Sequence, residues 1–181
     1  GGIILTNDPE IAKAIDKMVF PGIQGGPLMH VIGAKAASFI EALDPSFRTY
    51  QEQVIANAQA MVEVFQKAGF KVVSGGTDNH LFTVDVKAKT GINGKDAEKI
   101  LDSVHITVNK NTVPFDPEPP FVTSGIRIGT PAITTRGFGI PQSKQVAEFI
   151  ITALEQAKDV DVLREVRESI AKLVEDYPLP A

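Results

Sequence analysis

The chain has 181 residues, of which 43% are hydrophobic, enough to bury a core for one domain or for one domain and part of another. Its 22 acidic residues against 18 basic ones leave a net charge of −4, and there is no basic run, which argues against nucleic acid or an anionic membrane surface as partner. There is no cysteine, which excludes disulfides, thiol nucleophiles and cysteine-ligated metals. No apolar run approaches the ~18 residues that a membrane span needs, and nothing at the start resembles a signal peptide, so a soluble, cytoplasmic setting is expected.

Gly1-Gly2 leads at once into Ile3-Ile4-Leu5, which reads as a buried-type strand that begins mid-fold. Asn7-Asp8-Pro9-Glu10 is a helix-start signal, with Asp8 as the cap and Pro9 in the first turn, and the helix is predicted to run to about Val19. Residues 20–26 read as a loop. Pro27 then opens a long helix through Leu43 whose Leu28, Val31, Ile32, Phe39, Ile40 and Leu43 leave little polar surface, so this helix is expected to be buried. Asp44-Pro45 breaks it. The next helix, from Ser46 to Ala68, carries Phe47, Tyr50, Val54, Ala58, Met61, Val62 and Phe65 at helical spacing and is capped by Gly69.

Beyond it the pattern is that of a compact α/β unit. Residues 70–73 and 81–86 read as strands separated by Gly75-Gly76, and Gly94 precedes a helix over 95–104. A short apolar strand, Ile106 to Val108, is followed by the polar triplet Asn109-Lys110-Asn111, and a second strand lies around Ile126 to Ile128. The loop between them holds Pro114, Pro117, Pro119 and Pro120, which fix φ and make it stiff. Pro141 starts a helix to about Ala157, and Val162, Leu163, Val166, Ile170 and Leu173 mark a last amphipathic helix with a solvated outer face.

Two places carry chemistry. In the second strand the period of two sets Ile126 and Ile128 on one face and Gly125, Arg127 and Gly129 on the other, which leaves open space on both sides of the arginine. Such a guanidinium is suited to gripping a small carboxylate, although pairing with an acidic residue of its own chain accounts for it equally well. In Gln24-Gly25-Gly26-Pro27, two glycines before a helix allow close approach of an anion such as phosphate. A tight turn requiring positive φ explains the same pair. The spacing of His30, His80 and His105 suggests no metal site, and each reads as structural. Arg136, before Gly137, also reads as structural. Lys110, between two asparagines, is the one amine whose setting suggests a nucleophile.

Three stretches, in order, resemble serine hydroxymethyltransferase, a pyridoxal-phosphate enzyme. They are F-P-G-I-Q-G-G-P-L-M-H at Phe20 to His30, S-G-G-T-D-N-H-L-F at Ser74 to Phe82, and V-N-K-N-T-V-P-F-D-P with F-V-T-S-G-I-R-I-G-T-P-A-I-T-T-R-G-F between Val108 and Phe138. The resemblance extends to Tyr177-Pro178. It implies an α/β chain of pyridoxal-phosphate-dependent transferase fold type I, with the C-terminal end of the cofactor-binding large domain over 1–64 and the C-terminal small domain over 65–181. It further implies reversible interconversion of serine and glycine with transfer of a one-carbon unit to tetrahydrofolate. Arg127 would hold the carboxylate of serine or glycine, and Asn111, Pro119, Pro120 and Phe121 would lie along the folate site. Pro119 stands where many members carry serine, and a folate contact there can be made by backbone. Gly25 and Gly26 would reach the cofactor phosphate of the neighbouring subunit, in a homodimer with shared active sites. The Schiff-base lysine of the family lies upstream of Gly1-Gly2, so Lys110 has no catalytic role. The segment then has no catalytic residue of its own, is the C-terminal fraction of a larger polypeptide, and is expected to be inactive alone.

Two other readings stand beside this one. Another fold type I enzyme, aminotransferase-like, would use a carboxylate-binding arginine but would not need the Asn111 and Pro119 to Phe121 loop. A non-catalytic binding or dimerisation domain is the reading if this polypeptide is the complete gene product.

Overall fold

A proline whose preceding residue is forced out of the helical region divides the chain: Asp44 is extended, with ψ 138°, and Pro45 begins a new helix. The computed structural model describes residues 2–179. It separates there into two compact units, one ending at Asp44 and the other beginning at Pro45. The large and small domains read from the resemblance meet instead at about residue 64.

In the first unit, α1 (Pro9–Lys17) starts as the sequence requires: the Asp8 carboxylate accepts from the amides of Glu10 at 2.9 Å and Ile11 at 3.1 Å. The helix stops at Lys17 rather than near Val19, and a wide turn over Met18–Ile23 follows, in which Phe20 and Pro21 leave helical geometry. Ile3 to Leu5 form no strand and are exposed, because no described segment of this unit runs alongside to pair with them. α2 (Met29–Leu43) begins two positions after Pro27, with Leu28 as N-cap. Its expected burial is not found: every residue of α2 is exposed, with Met29 at 68% and Leu43 at 84%. Its polar residues, His30, Lys35, Ser38 and Glu41, are few and gather on one side, and among the described residues this unit has no second layer to cover the apolar remainder.

The second unit has a core. α3 (Pro45–Lys67) buries the stripe Val54, Asn57, Ala58, Met61 and Phe65. It ends in a Schellman motif: Gly69 takes φ +80°, its amide reaches the Gln66 carbonyl, and the Phe70 amide reaches that of Phe65. The two phenylalanine rings that this closes together meet edge-on at 5.5 Å.

Four antiparallel strands, β1 (Lys71–Val72), β2 (Leu81–Asp85), β3 (Asn109–Asn111) and β4 (Gly125–Gly129), are arranged in the order β1-β2-β4-β3. The third strand is displaced from its expected place. Ile106 and Val108 are buried but precede the ladder, and the polar triplet after them is what pairs with β4. Apolarity there marks burial, not pairing. Phe82, Val84, Ile126 and Ile128 turn one sheet face into a core completed by α3, α5 (Gly94–Ser103) and α7 (Ile140–Glu155). Val166 and Ile170 of α8 (Val160–Glu175) extend it. Two short helices, α4 (Val86–Thr90) and α6 (Pro131–Thr135), follow β2 and β4 directly. The mixture of helices with a small antiparallel sheet is the α/β class expected. Among the described residues, no helix is long and apolar enough to cross a membrane.

A candidate substrate-binding face

Arg127 lies at the middle of β4, opposite Thr83 of β2 and Asn109 of β3, on the sheet face away from the core. Its Nη2 approaches Asn109 Oδ1 at 3.4 Å, the outer limit of a hydrogen bond. Among the described residues no carboxylate lies within 4.0 Å of it, so an ion pair of the chain's own does not account for this arginine. Its flanks are unequal, which corrects the expectation of space on both sides. A side chain at Gly129 would come no nearer than 3.6 Å to any atom, whereas one at Gly125 would meet Val113 Cγ1 and the Val84 carbonyl at 2.8 Å. The room therefore opens toward Gly129.

Asn111 pairs with Gly125 across β3 and β4, which sets it on the same sheet face as Arg127 and Asn109. Its side-chain amide donates to the Thr112 carbonyl at 2.7 Å. Pro119, Pro120 and Phe121 follow in the connecting loop and are all exposed. The Pro119 carbonyl accepts from the amides of Val122 and Thr123, closing a helical turn around these residues.

The stiffness of this loop has a cause beyond its prolines. Asp116 Oδ2 accepts from the amides of Val113 at 3.0 Å and Ser124 at 2.9 Å, and Oδ1 accepts from the Glu118 amide at 2.9 Å and the Ser124 hydroxyl at 2.6 Å. Partial burial disfavours the charge, but the Ser124 hydroxyl and the amides of Glu118, Ser124 and Val113 outweigh it and hold the carboxyl at about 2. Further ties are the Glu118–Lys87 ion pair and the amides of Gly94 and Lys95, which donate to the carbonyls of Thr123 and Val122 at 2.9 Å. Gly94 must be glycine, since a Cβ there would lie 2.0 Å from Thr123 Oγ1. Asp116 escaped the sequence reading. Asp116-Pro117-Glu118 signals a local Asx turn, but nothing local reveals the bonds to Ser124.

A second group also went unread. Asn57, fully buried, donates to Thr134 Oγ1 and to the Phe138 carbonyl, both at 2.9 Å, and accepts from Gln53. Thr134 donates to the Thr130 carbonyl, and Thr130 Oγ1 to that of Val54 at 2.7 Å. These bonds fix the end of β4 to α3. An asparagine on an otherwise apolar helical stripe was the available signal.

The remaining residues fall into place. Arg136 donates to the carbonyls of Tyr177 and Val174 at the end of α8, a capping role. Lys110 Nζ lies 3.7 Å from Glu98. His30, His80 and His105 are exposed, and no group of metal-ligating side chains occurs among the described residues. Gly25 and Gly26 belong to the first unit. Neither has positive φ, and a Cβ on either would meet nothing within 4 Å, so a tight turn does not explain the pair. The N-cap of α2 after them makes no side-chain hydrogen bond. The family model described as serine hydroxymethyltransferase matches residues 6–150.

Proposed function

Because the chain belongs to the serine hydroxymethyltransferase family, we propose that it supplies the carboxylate anchor and the folate loop of an enzyme that interconverts serine and glycine and passes a one-carbon unit to tetrahydrofolate. The observation that carries this reading is Arg127: an exposed cation with no carboxylate partner among the described residues, held by strands on both sides and sharing its sheet face with Asn109 and Asn111. By gripping the substrate carboxylate with its bidentate fork, it fixes which bond at Cα is presented for cleavage, an orientation effect rather than a proton transfer.

Pyridoxal phosphate, when bound, supplies the electron sink for charge left at Cα. Gly25 and Gly26 fit its phosphate, since their backbone is open to close approach and the first amides of α2 follow. In this reading they serve the cofactor of a second subunit, in a homodimer of fold type I whose large domain ends at about residue 64 and whose small domain follows. In the same reading the cofactor is held by a lysine outside this chain, the chain is silent without it, and the setting is the cytoplasm.

The test is Arg127→Ala in the holoenzyme. Loss of a charge-assisted pair of about 3 kcal/mol should weaken serine and glycine binding by ~100-fold while cofactor binding is kept. Arg127→Lys should recover little, because a point charge does not replace the fork. Near-normal serine affinity of the alanine variant in a spectral titration would overturn the reading.

A further inference from the structure

The loop over 112–124 contributes nothing to the hydrophobic core. Its two aromatic residues, Phe115 and Phe121, are 103% and 84% exposed. Two of its residues, Phe115 at φ +60° and Thr123 at φ +62°, occupy the left-handed region that side-chain-bearing residues disfavour. Apolar burial therefore does not give the loop its shape, since its buried residues Thr123 and Ser124 are polar, and the backbone at the two left-handed positions opposes it. What holds it is polar, and the largest share converges on one carboxylate. Asp116 joins Val113, just beyond the end of β3 at Asn111, to Ser124, just before β4 begins at Gly125, and fixes Glu118 between them.

From this geometry we propose that Asp116 is the positioning residue of the co-substrate loop, holding Asn111 and the Pro119 to Phe121 turn in the single arrangement that receives tetrahydrofolate. The inference rests on the folate reading given above. Asp116 does not touch the ligand; it acts through the loop whose two ends it staples. All four of its partners are donors, so an asparagine, with one accepting atom, cannot serve them all. Its amide nitrogen is tolerated only toward the Ser124 hydroxyl, which can turn to accept, and the Glu118 bond is then lost.

The experiment measures tetrahydrofolate and glycine affinities of the holoenzyme carrying Asp116→Ala, Asp116→Asn or Ser124→Ala, with thermal unfolding alongside. Tetrahydrofolate affinity should fall by about tenfold or more in Asp116→Ala, less in Asp116→Asn and least in Ser124→Ala, which keeps the backbone donors. Glycine affinity should fall by less than about threefold, because Arg127 is held by the strand ladder. Should Asp116→Ala fail to fold, Asp116→Asn decides. Unchanged tetrahydrofolate affinity in the Asp116 variants, or parallel loss of both ligands with a collapse of thermal stability, would overturn the positioning role. If Asn111→Ala and Phe121→Ala also leave tetrahydrofolate binding untouched, the folate reading itself is what fails.

Discussion

Replacing Asn57 by leucine isolates what the buried polar chain beneath β4 contributes. The two side chains are close in volume, so the effect is one of hydrogen bonding. The Phe138 carbonyl loses the Asn57 donor at 2.9 Å, and the Thr134 hydroxyl loses one donor but keeps its own bond to Thr130. Gln53 lies partly at the surface and can turn to water. One buried carbonyl left unpaired costs about 1–3 kcal/mol, offset by up to ~1 kcal/mol for the added apolar group. A net loss of about 1–2 kcal/mol is expected, read as a lower urea midpoint with an unchanged slope. Asn57→Ala should lose more, since the site is fully buried and a void is added. A leucine variant as stable as the parent, or more so, would refute the reasoning.

Asn111→Ala should weaken tetrahydrofolate binding far more than the folate-independent cleavage of other β-hydroxy amino acids; equal losses in the two assays would mark Asn111 as loop support instead. Asp116, lowered from 3.8 in the unfolded chain to about 2 in the fold, stabilises the native state fully above about pH 4, and that contribution is lost as the pH falls through about 2. Discounted for its partial exposure it is worth ~1–2 kcal/mol, so the stability gap between the parent and Asp116→Asn should narrow on acidification over that range, and a gap independent of pH would contradict it. The 181-residue chain should self-associate in sedimentation experiments through Met29, Phe39, Ile40 and Leu43, and a chain beginning at Pro45 should not; association of both would place the sticky surface elsewhere.

The long elements were legible because helical spacing and caps are local. Asp8, Gly69 and the Asp44-Pro45 break all act where the sequence places them, through contacts no more than a few residues away. The displaced third strand was not legible. Burial of Ile106 and Val108 is decided by their side chains, whereas pairing is decided by the register with β4, and an apolar run reports only the first. Complete exposure of α2 was invisible for a similar reason: hydrophobicity states what a helix needs, not whether a covering layer is at hand. At the site, Arg127 could be found because it interrupts an apolar strand. Asp116 could not, because its decisive partner is eight residues away across a loop whose path the sequence does not state.

Strand β4 is bonded along both edges, so its register is locked by Thr83 on one side and Asn109 on the other, while the loop before it lies outside the core. The chain thus separates an invariable origin from an exchangeable reach. If Arg127 and this loop act as proposed, residues 112–124 can be exchanged as a cassette to alter which carrier is received without disturbing the grip of Arg127, provided that the graft brings its own carboxylate to fasten the two ends.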